Sequence, residues 1–150
     1  MTDKFNEFLN RLRGDTFFAL CQSVCDQLRQ WDKRYDWVGI YWVDGAELEL
    51  KAWSGRQATE HVRIPIQQGI CGAAVREERT IIVDDVNQDP RYLSCFVNTH
   101  SEIVVPIHSA DGIVGEIDVD GIEIGAFNTN DQIFLEAVAR YIGEQWKGSW

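Results

Sequence analysis

The Asp44-Gly45 pair, set between two runs of strand-forming residues, is the feature that most constrains the fold of this chain. The runs are 36–43, with the sequence DWVGIYWV, and 47–53, with the sequence ELELKAW. Asp-Gly is a strong hairpin signal because glycine readily adopts the positive φ that a two-residue turn needs. The sequence therefore predicts an antiparallel hairpin over these two runs.

A second hairpin is predicted in the C-terminal half of the chain. Its strands are 102–107 and 113–120, which flank an Ala-Asp-Gly turn. Two short strands are also predicted, at 62–66 and 80–83. Pro65 lies in the first of these and assigns it to a sheet edge, because proline cannot donate a hydrogen bond to a neighbouring strand. Two hairpins together favour a largely antiparallel sheet.

Three helices are predicted around this sheet. The first covers about 15–31 and starts at Gly14-Asp15, and the second is a glycine-entered helix over 69–78. The third starts at a capping-box pattern formed by Thr129 and Gln132 and runs almost to the C-terminus. The first and third helices can cover one face of the sheet with their apolar stripes. The other face is left to the middle helix and the long loop after the fourth strand, where a ligand pocket is expected.

These elements predict one α/β domain of the α+β type over residues 1–150, with 1–14 as an N-terminal extension or a short helix. The length of 150 residues favours a single domain. Hydrophobic residues make up 45% of the chain and charged residues 25%, which is an ordinary globular balance.

The charge of the chain limits its partners. The formal net charge is -10, so phosphate backbones and anionic lipid surfaces are repelled, and neither nucleic acid nor a membrane is an expected partner. A small cationic or zwitterionic ligand fits this sign better. We find no transmembrane run and no signal-peptide core, so a cytoplasmic location is expected. In that compartment the cysteines start as thiols, and a disulfide would be catalytic or regulatory.

The four cysteines fall in three settings. Cys21 and Cys25 are spaced i, i+4 on the apolar stripe of the first long helix and are interpreted as core residues. Cys71 lies at the start of the glycine-entered helix, where it is either a small buried hydrophobe or a thiol whose pKa the helix N-terminus lowers. Cys95 lies in the polar loop 84–98 and is either an incidental loop thiol or a reactive one.

Acidic residues alternate along the last predicted strand. Glu116, Asp118 and Asp120 share one face because successive strand residues point to opposite faces. Stacked carboxylates repel one another unless water or a cation balances them, so this face is either solvated or a site for an ammonium group. Glu102 adds one acid at the start of the preceding strand, where it is either a solvated strand-end charge or part of the same site.

Two aromatic residues share a face of the first predicted strand. Trp37 and Tyr41 are separated by Gly39, which leaves space between the two rings. This arrangement is either ordinary aromatic core or a pocket for a methyl or thioether group.

Together these residues resemble the free methionine-R-sulfoxide reductase family, which is built on the GAF fold. The match covers most of the chain after residue 36. The segments that carry it are 36–41, 63–74, 85–86, 101–107, 115–120 and 125–127. The most specific part is the pair Cys71 and Cys95, followed by Glu102 and by Asp118-x-Asp120.

The resemblance implies a thiol-based reduction of free L-methionine-R-sulfoxide. It implies that Cys95 attacks the sulfoxide, that Glu102 supplies a proton to its oxygen, and that Cys95 becomes a sulfenic acid. Cys71 is then expected to condense with it to a disulfide, which a thioredoxin-like dithiol would reduce. No metal ion and no organic cofactor is expected.

The resemblance also implies the binding residues. The acids matching Glu102, Asp118 and Asp120 hold and polarise the substrate, with the two aspartates on its α-ammonium group. The aromatics matching Trp37 and Tyr41 line the pocket around its methyl end. Because the aspartates need a free amine, methionine sulfoxide within a peptide should be rejected.

Two positions depart from the family pattern. The family usually has a third cysteine ten residues before the one matching Cys71, where this chain has His61. That cysteine is a usual partner of the attacking one, so the change bears on recycling. Gly121 follows Asp120 where the family commonly has serine.

Other functions are weighed against this one. The main alternative is a non-catalytic GAF module that senses or regulates through a small molecule, which the change at His61 favours. Cyclic-nucleotide binding is disfavoured because the acids face a position where phosphate would need N–H donors or arginine. A metal site from His61, Cys71, Cys95 and an acid lacks compact ligand spacing. Trp146 and Trp150 can form an exposed apolar patch, so a homodimer is plausible.

Overall fold

The computed structural model describes residues 2–94 and 96–150. Its helices are α1 Thr2–Leu9, α2 Phe17–Trp31, α3 Gly69–Glu77 and α4 Thr129–Gln145. Its strands are β1 Trp37–Asp44, β2 Glu47–Ser54, β3 Arg63–Pro65, β4 Ile81–Val83, β5 Ser101–Ser109 and β6 Gly112–Gly121. A short 3₁₀ helix covers Val86–Gln88. None of the described helices is long and apolar enough to cross a membrane.

The six strands form one sheet in the order β3-β2-β1-β6-β5-β4. Every neighbouring pair is antiparallel, as the two predicted hairpins indicated. The first hairpin turns tightly, since Asp44 pairs with Glu47 and Gly45 has φ 61°. Pro65 lies in the edge strand β3, which confirms the assignment made from its missing N–H group.

The two faces of the sheet are covered differently. On one face α1, α2 and α4 bury the main apolar core, which contains the side chains of Cys21 and Cys25. Both of these thiols have an exposed fraction of 0%, which confirms their interpretation as core residues. On the other face α3 packs over a second apolar cluster that includes Trp37, Tyr41 and Cys71. The terminal helices and the middle helix therefore lie on opposite faces, as predicted.

Two helix starts differ from the sequence prediction. Helix α2 is capped by Thr16, whose side chain accepts a hydrogen bond from the N–H of Ala19, and not by Gly14-Asp15. The predicted capping box of Thr129 and Gln132 is wrong by one residue. The observed box is formed by Asn128 and Asp131, because the Asn128 amide oxygen and the Asp131 carboxylate each accept the other's backbone N–H.

Aromatic side chains gather where the C-terminal segment returns to the sheet. Phe17, Trp42, Trp146 and Trp150 pack together, with ring centroids 4.9–5.6 Å apart. Trp150 keeps 40% of its surface exposed. The predicted apolar patch is thus largely packed on itself, and the expected homodimer stays a prediction.

Candidate active site

Four carboxyl groups lie on the sheet face that α3 covers. Strand β6 supplies Glu116, Asp118 and Asp120, and the neighbouring strand β5 supplies Glu102, which pairs with Asp120. Their exposed fractions are between 0% and 5%. The alternation predicted that the β6 acids share a face, and the structure shows that this face is buried and not solvated. Burying four acids together is costly unless a partner compensates them, which is typical of a functional site.

Several of these carboxyl oxygens have no hydrogen-bond partner within the described part of the chain. They are both oxygens of Glu116, Oδ1 of Asp118 and Oδ1 of Asp120. Glu102 lies beside Asp118 and pairs with Asp120 across the strands, so these three groups form one cluster. Because buried polar groups are nearly always satisfied, the open oxygens indicate that a donor from outside the described residues completes this cluster.

Burial sets the protonation of the cluster. Loss of water raises the pKa of Asp118 above its usual value, although hydrogen bonds from Glu102 and Cys71 partly oppose the change. The pKa of Asp120 is raised well above its usual range by burial and then by the charges of Asp118 and Asp36. Burial likewise raises the pKa of Glu116. The unliganded cluster therefore retains protons that a bound cation would displace.

Cys71 lies on the first turn of α3, and its side chain joins the acid cluster. Its Sγ donates a hydrogen bond of 3.4 Å to Oδ2 of Asp118. The pKa of the thiol is raised well above its usual value by burial, with further contributions from the charges of Asp118, Glu116 and Glu102. Of the two interpretations of Cys71, the small buried residue fits this burial, and the lowered pKa is wrong because desolvation and the surrounding acids outweigh the helix dipole.

The donor atoms of Cys71, Glu102 and Asp118 lie within 4.8 Å of one another. The hydrogen bond from the Cys71 thiol to Asp118 brings two of these three groups together. His61, the remaining described residue of the metal-site alternative, instead bonds to the carbonyl oxygen of Ser94.

Trp37 and Tyr41 share a face of β1, as their spacing predicted, and it is the face that carries the acids. In β1, Trp37 pairs with Asp120 of β6, and Tyr41 pairs with Glu116. The space above Gly39 is not open as expected, because the Trp37 indole fills it: a Cβ on Gly39 would overlap that ring. Tyr41 donates from its hydroxyl to the carbonyl oxygen of His61, 2.7 Å away. Both aromatic side chains therefore line the site in close packing, and no empty space lies between them at Gly39.

The predicted attacking residue, Cys95, lies outside the described residues. Its chain neighbours Ser94 and Phe96 are described. The carbonyl oxygen of Ser94 lies 3.1 Å from Nε2 of His61. The ring centroid of Phe96 lies 5.8 Å from that of Trp37. Both neighbours therefore contact the wall of the candidate site.

Two cavities adjoin this face. The smaller, of about 20 Å³, is lined by residues of the acid cluster and its apolar surroundings, which are Tyr41, Ile64, Gly69, Ile70, Cys71, Leu93, Glu102 and Asp118. The larger, of about 290 Å³, opens between the start of β1 and the loop that follows position 95. Trp37 lines this larger cavity.

Sequence reasoning missed three residues at this site. Glu116 was placed on the acidic face but not among the site residues, although the alternation put it there. Asp36 and Arg56 line the larger cavity and form an ion pair of 2.9 Å. No local pattern marks Arg56, because loop residues carry no periodicity that would predict where they point.

The sequence profile of the GAF domain matches residues 16–144 of this chain. A free methionine-R-sulfoxide reductase of Escherichia coli is 32% identical over 131 residues, which are 87% of this chain and 78% of that protein. One of Saccharomyces cerevisiae is 37% identical over 113 residues, which are 73% of this chain. This chain spans 62% of the yeast protein's length and 66% of that of a Dictyostelium discoideum GAF domain-containing protein.

A solved structure of the reduced form of the Staphylococcus aureus enzyme fRMsr superposes on this fold with a TM-score of 0.86 and 34% sequence identity. The superposition covers 96% of this chain and 93% of that one.

Proposed function

This chain belongs to the GAF-domain family that includes the free methionine-R-sulfoxide reductases, and we propose that it reduces free L-methionine-R-sulfoxide to methionine. The observation that carries this proposal is the set of buried carboxyl oxygens that have no hydrogen-bond partner among the described residues and lie beside a thiol at a small cavity. Such a cluster suits a substrate that brings its own ammonium group. The names of the E. coli and yeast relatives support the choice of substrate.

The first chemical step is assigned to Cys95. Its thiolate attacks the electrophilic sulfur of the sulfoxide, and Glu102 protonates the sulfoxide oxygen. The sulfur–oxygen bond of the substrate breaks, the oxygen ends on Cys95 as a sulfenic acid, and methionine departs. The substrate sulfur gains two electrons and the cysteine sulfur loses two.

The second step is assigned to Cys71. Its thiol condenses with the Cys95 sulfenic acid to form a disulfide and water, and a thioredoxin-like dithiol then reduces the disulfide. The raised pKa of Cys71 means that its proton must leave before the sulfur can attack. Asp118 accepts the thiol hydrogen bond and is the natural local base for this proton.

Substrate selection is assigned to the pocket walls. Asp118 and Asp120 bind the α-ammonium group with their open oxygens, and Trp37 and Tyr41 contain the methyl end. A methionine sulfoxide within a peptide has no free ammonium group and would leave both aspartates uncompensated, so it is excluded.

Methionine release in the presence of dithiothreitol tests this proposal, with the R and S epimers compared. We expect turnover of the R epimer alone and its loss in Cys95→Ser. Cys21→Ala is the matched control, because this cysteine lies in the core on the opposite face and should leave turnover unchanged. Turnover that persists in Cys95→Ser would contradict the mechanism.

The second candidate function is a GAF module that binds a small molecule without chemistry. It is favoured by His61 at the position of the third family cysteine and by the protonated state of the Cys71 thiol. A protein of this kind would be stabilised by methionine sulfoxide but would release no methionine from it. The same assay therefore separates the two functions when thermal unfolding is measured alongside.

A further inference from the structure

The larger cavity contains a cationic group that the proposed chemistry does not use. Its lining residues are Asp36, Trp37, Arg56, Gln57, Phe96, Val97 and Asn98. Arg56 is the one basic residue among them, in a chain whose net charge is -10. A cationic side chain that lines this cavity points to an anionic group on the ligand.

Arg56 is held in place but has donors to spare. Its Nη2 donates to Oδ2 of Asp36 at 2.9 Å, and this is its one hydrogen bond within the described residues. A guanidinium group carries five N–H donors, so Arg56 can bind a second carboxylate without releasing Asp36. The side chain remains 55% exposed and is therefore accessible from the cavity.

A second donor lies next to Arg56. The indole Nε1 of Trp37 is buried and has no hydrogen-bond partner among the described residues, although the side chain is only 3% exposed. This nitrogen lies against Gly55, the residue before Arg56: a Cβ placed on Gly55 would be 2.9 Å from it. A buried indole N–H usually has an acceptor. Because this one has none among the described residues, we expect the ligand to supply it.

The segment that carries these donors pairs with the strand that carries the acids. The backbone N–H of Asp36 donates to the carbonyl oxygen of Asp120 at 3.0 Å, and Trp37 pairs with Asp120 across the strands. An α-amino acid carries its ammonium and carboxylate groups on one carbon atom. A site that holds both must therefore set cationic donors near acidic acceptors, and the pairing of β1 with β6 brings the donor-bearing segment next to Asp120.

We propose that Arg56 and the indole N–H of Trp37 form the subsite for the α-carboxylate of the ligand, so that the protein selects free α-amino acids at both ends of the zwitterion. This inference rests on the proposed function for the identity of the ligand. Asp36 is a positioning residue, because its ion pair holds the Arg56 guanidinium in place at the cavity. The subsite adds a second reason to reject peptides, in which the carboxylate is blocked as well.

The test compares free methionine-R-sulfoxide with its carboxamide, which keeps the ammonium group and loses the negative charge. In Arg56→Ala we expect the KM for the free acid to rise about 10- to 100-fold, the usual effect of losing a charged hydrogen bond. The KM for the amide should change less than about threefold. Arg56→Lys should recover part of the loss. Trp37→Phe should raise the KM of both compounds, because Trp37 also contains the methyl end, but should raise it more for the acid.

Arg63→Ala is the matched control. Arg63 is an exposed arginine on the edge strand β3, bonded to Asp44, Glu47 and Glu49. Its removal changes the net charge equally and should leave both KM values unchanged. A rise in KM that is equal for the acid and the amide in Arg56→Ala, or no rise at all, would overturn the carboxylate subsite.

Equilibrium binding of methionine and methioninamide by calorimetry keeps this test apart from the proposed chemistry. An Arg56-dependent preference for methionine without any turnover supports the subsite and rejects the reductase activity. Turnover with no Arg56-dependent preference supports the activity and rejects the subsite. Absence of turnover together with absence of methionine binding to the unsubstituted protein rejects both.

Discussion

Glu116 shows at the scale of one residue that the acid cluster costs the protein stability. Its side chain is fully buried, and the nearby Cys71 thiol only partly offsets the effect of burial on its pKa. Burial raises its pKa, so the folded state keeps it protonated at pH values where the unfolded chain ionises it. The folded state then binds more protons than the unfolded state, and the free energy of unfolding falls as the pH rises.

Glu116→Gln should therefore stabilise the protein at high pH. The loss of stability starts near the unfolded pKa of about 4.3 and grows as the pH rises through the folded pKa. We expect the variant to exceed the original protein by about 1–3 kcal/mol at pH 8 and by much less at pH 5, measured by urea unfolding. Glu144→Gln, an exposed change on α4, is the control and should show no pH-dependent difference. A difference that is the same at both pH values would contradict this account.

Individual site residues were predictable from the sequence to different degrees. The period of two in β6 placed Glu116, Asp118 and Asp120 on one face, because strand geometry alone fixes that relation. It did not predict their burial, since the alternation says nothing about what covers the face. The pKa direction of Cys71 was wrong for the same reason: the helix N-terminus is visible in the sequence, but the acids packed against the thiol come from other strands.

At the scale of elements, two glycines form the surface against which the Trp37 indole packs, which we call its seat. Gly39 lies in β1, and Gly55 directly follows the neighbouring strand β2. A Cβ on Gly39 would overlap the outer edge of the indole ring, and one on Gly55 would overlap its pyrrole edge. The ring therefore lies flat on a surface that only glycine can provide at both points. The ring held in this way lines the larger cavity.

Gly39→Ala should displace the indole and disturb both stability and binding. Overpacking of this kind costs about 1–3 kcal/mol of unfolding free energy, and we expect the KM for the free sulfoxide to rise at the same time. The measurement is a double-mutant cycle with Trp37→Phe, whose smaller ring relieves the overlap. An equal loss of stability from Gly39→Ala in both backgrounds would show that the indole is not what the new methyl group meets.

Elements were predicted well wherever their signals are local. The Asp-Gly turn gave the first hairpin, and the glycine-entered helix was found with nearly its observed bounds. The capping box was displaced by one residue because Thr129 and Gln132 fit the same pattern as Asn128 and Asp131. Only the hydrogen bonds of the folded chain distinguish the two pairs.

At the scale of the whole molecule, the sheet separates a structural face from a functional one. The apolar core against α1, α2 and α4 is the larger of the two apolar clusters, while the opposite face holds the buried acids. The adjacency of β1 and β6 brings Trp37 and Asp36 beside Asp120, although more than 80 residues separate them in the chain. Hairpin signals cannot predict such a pairing, because it is set by how the two hairpins join across the centre of the sheet.

A ligand with an ammonium group should therefore raise the free energy of unfolding of the whole protein. The gain should be largest at high pH, where the buried acids destabilise the unliganded protein most. Free methionine at 100 times its Kd adds about 2.7 kcal/mol, which raises the Tm by about 5–10 °C in a protein of this size. The gain should be larger at pH 8 than at pH 5, because the raised pKa values of Asp118 and Asp120 leave fewer carboxylates to pair with the ammonium group at the lower pH.

N-acetylmethionine is the control for this measurement by thermal unfolding. It keeps the side chain and the carboxylate but cannot carry a positive charge, so the acids on β5 and β6 gain no partner from it. We expect no rise in Tm at either pH. A shift as large as that of methionine, or a methionine shift that does not grow with pH, would mean that the carboxyl cluster is not the part of the molecule that recognises the ligand.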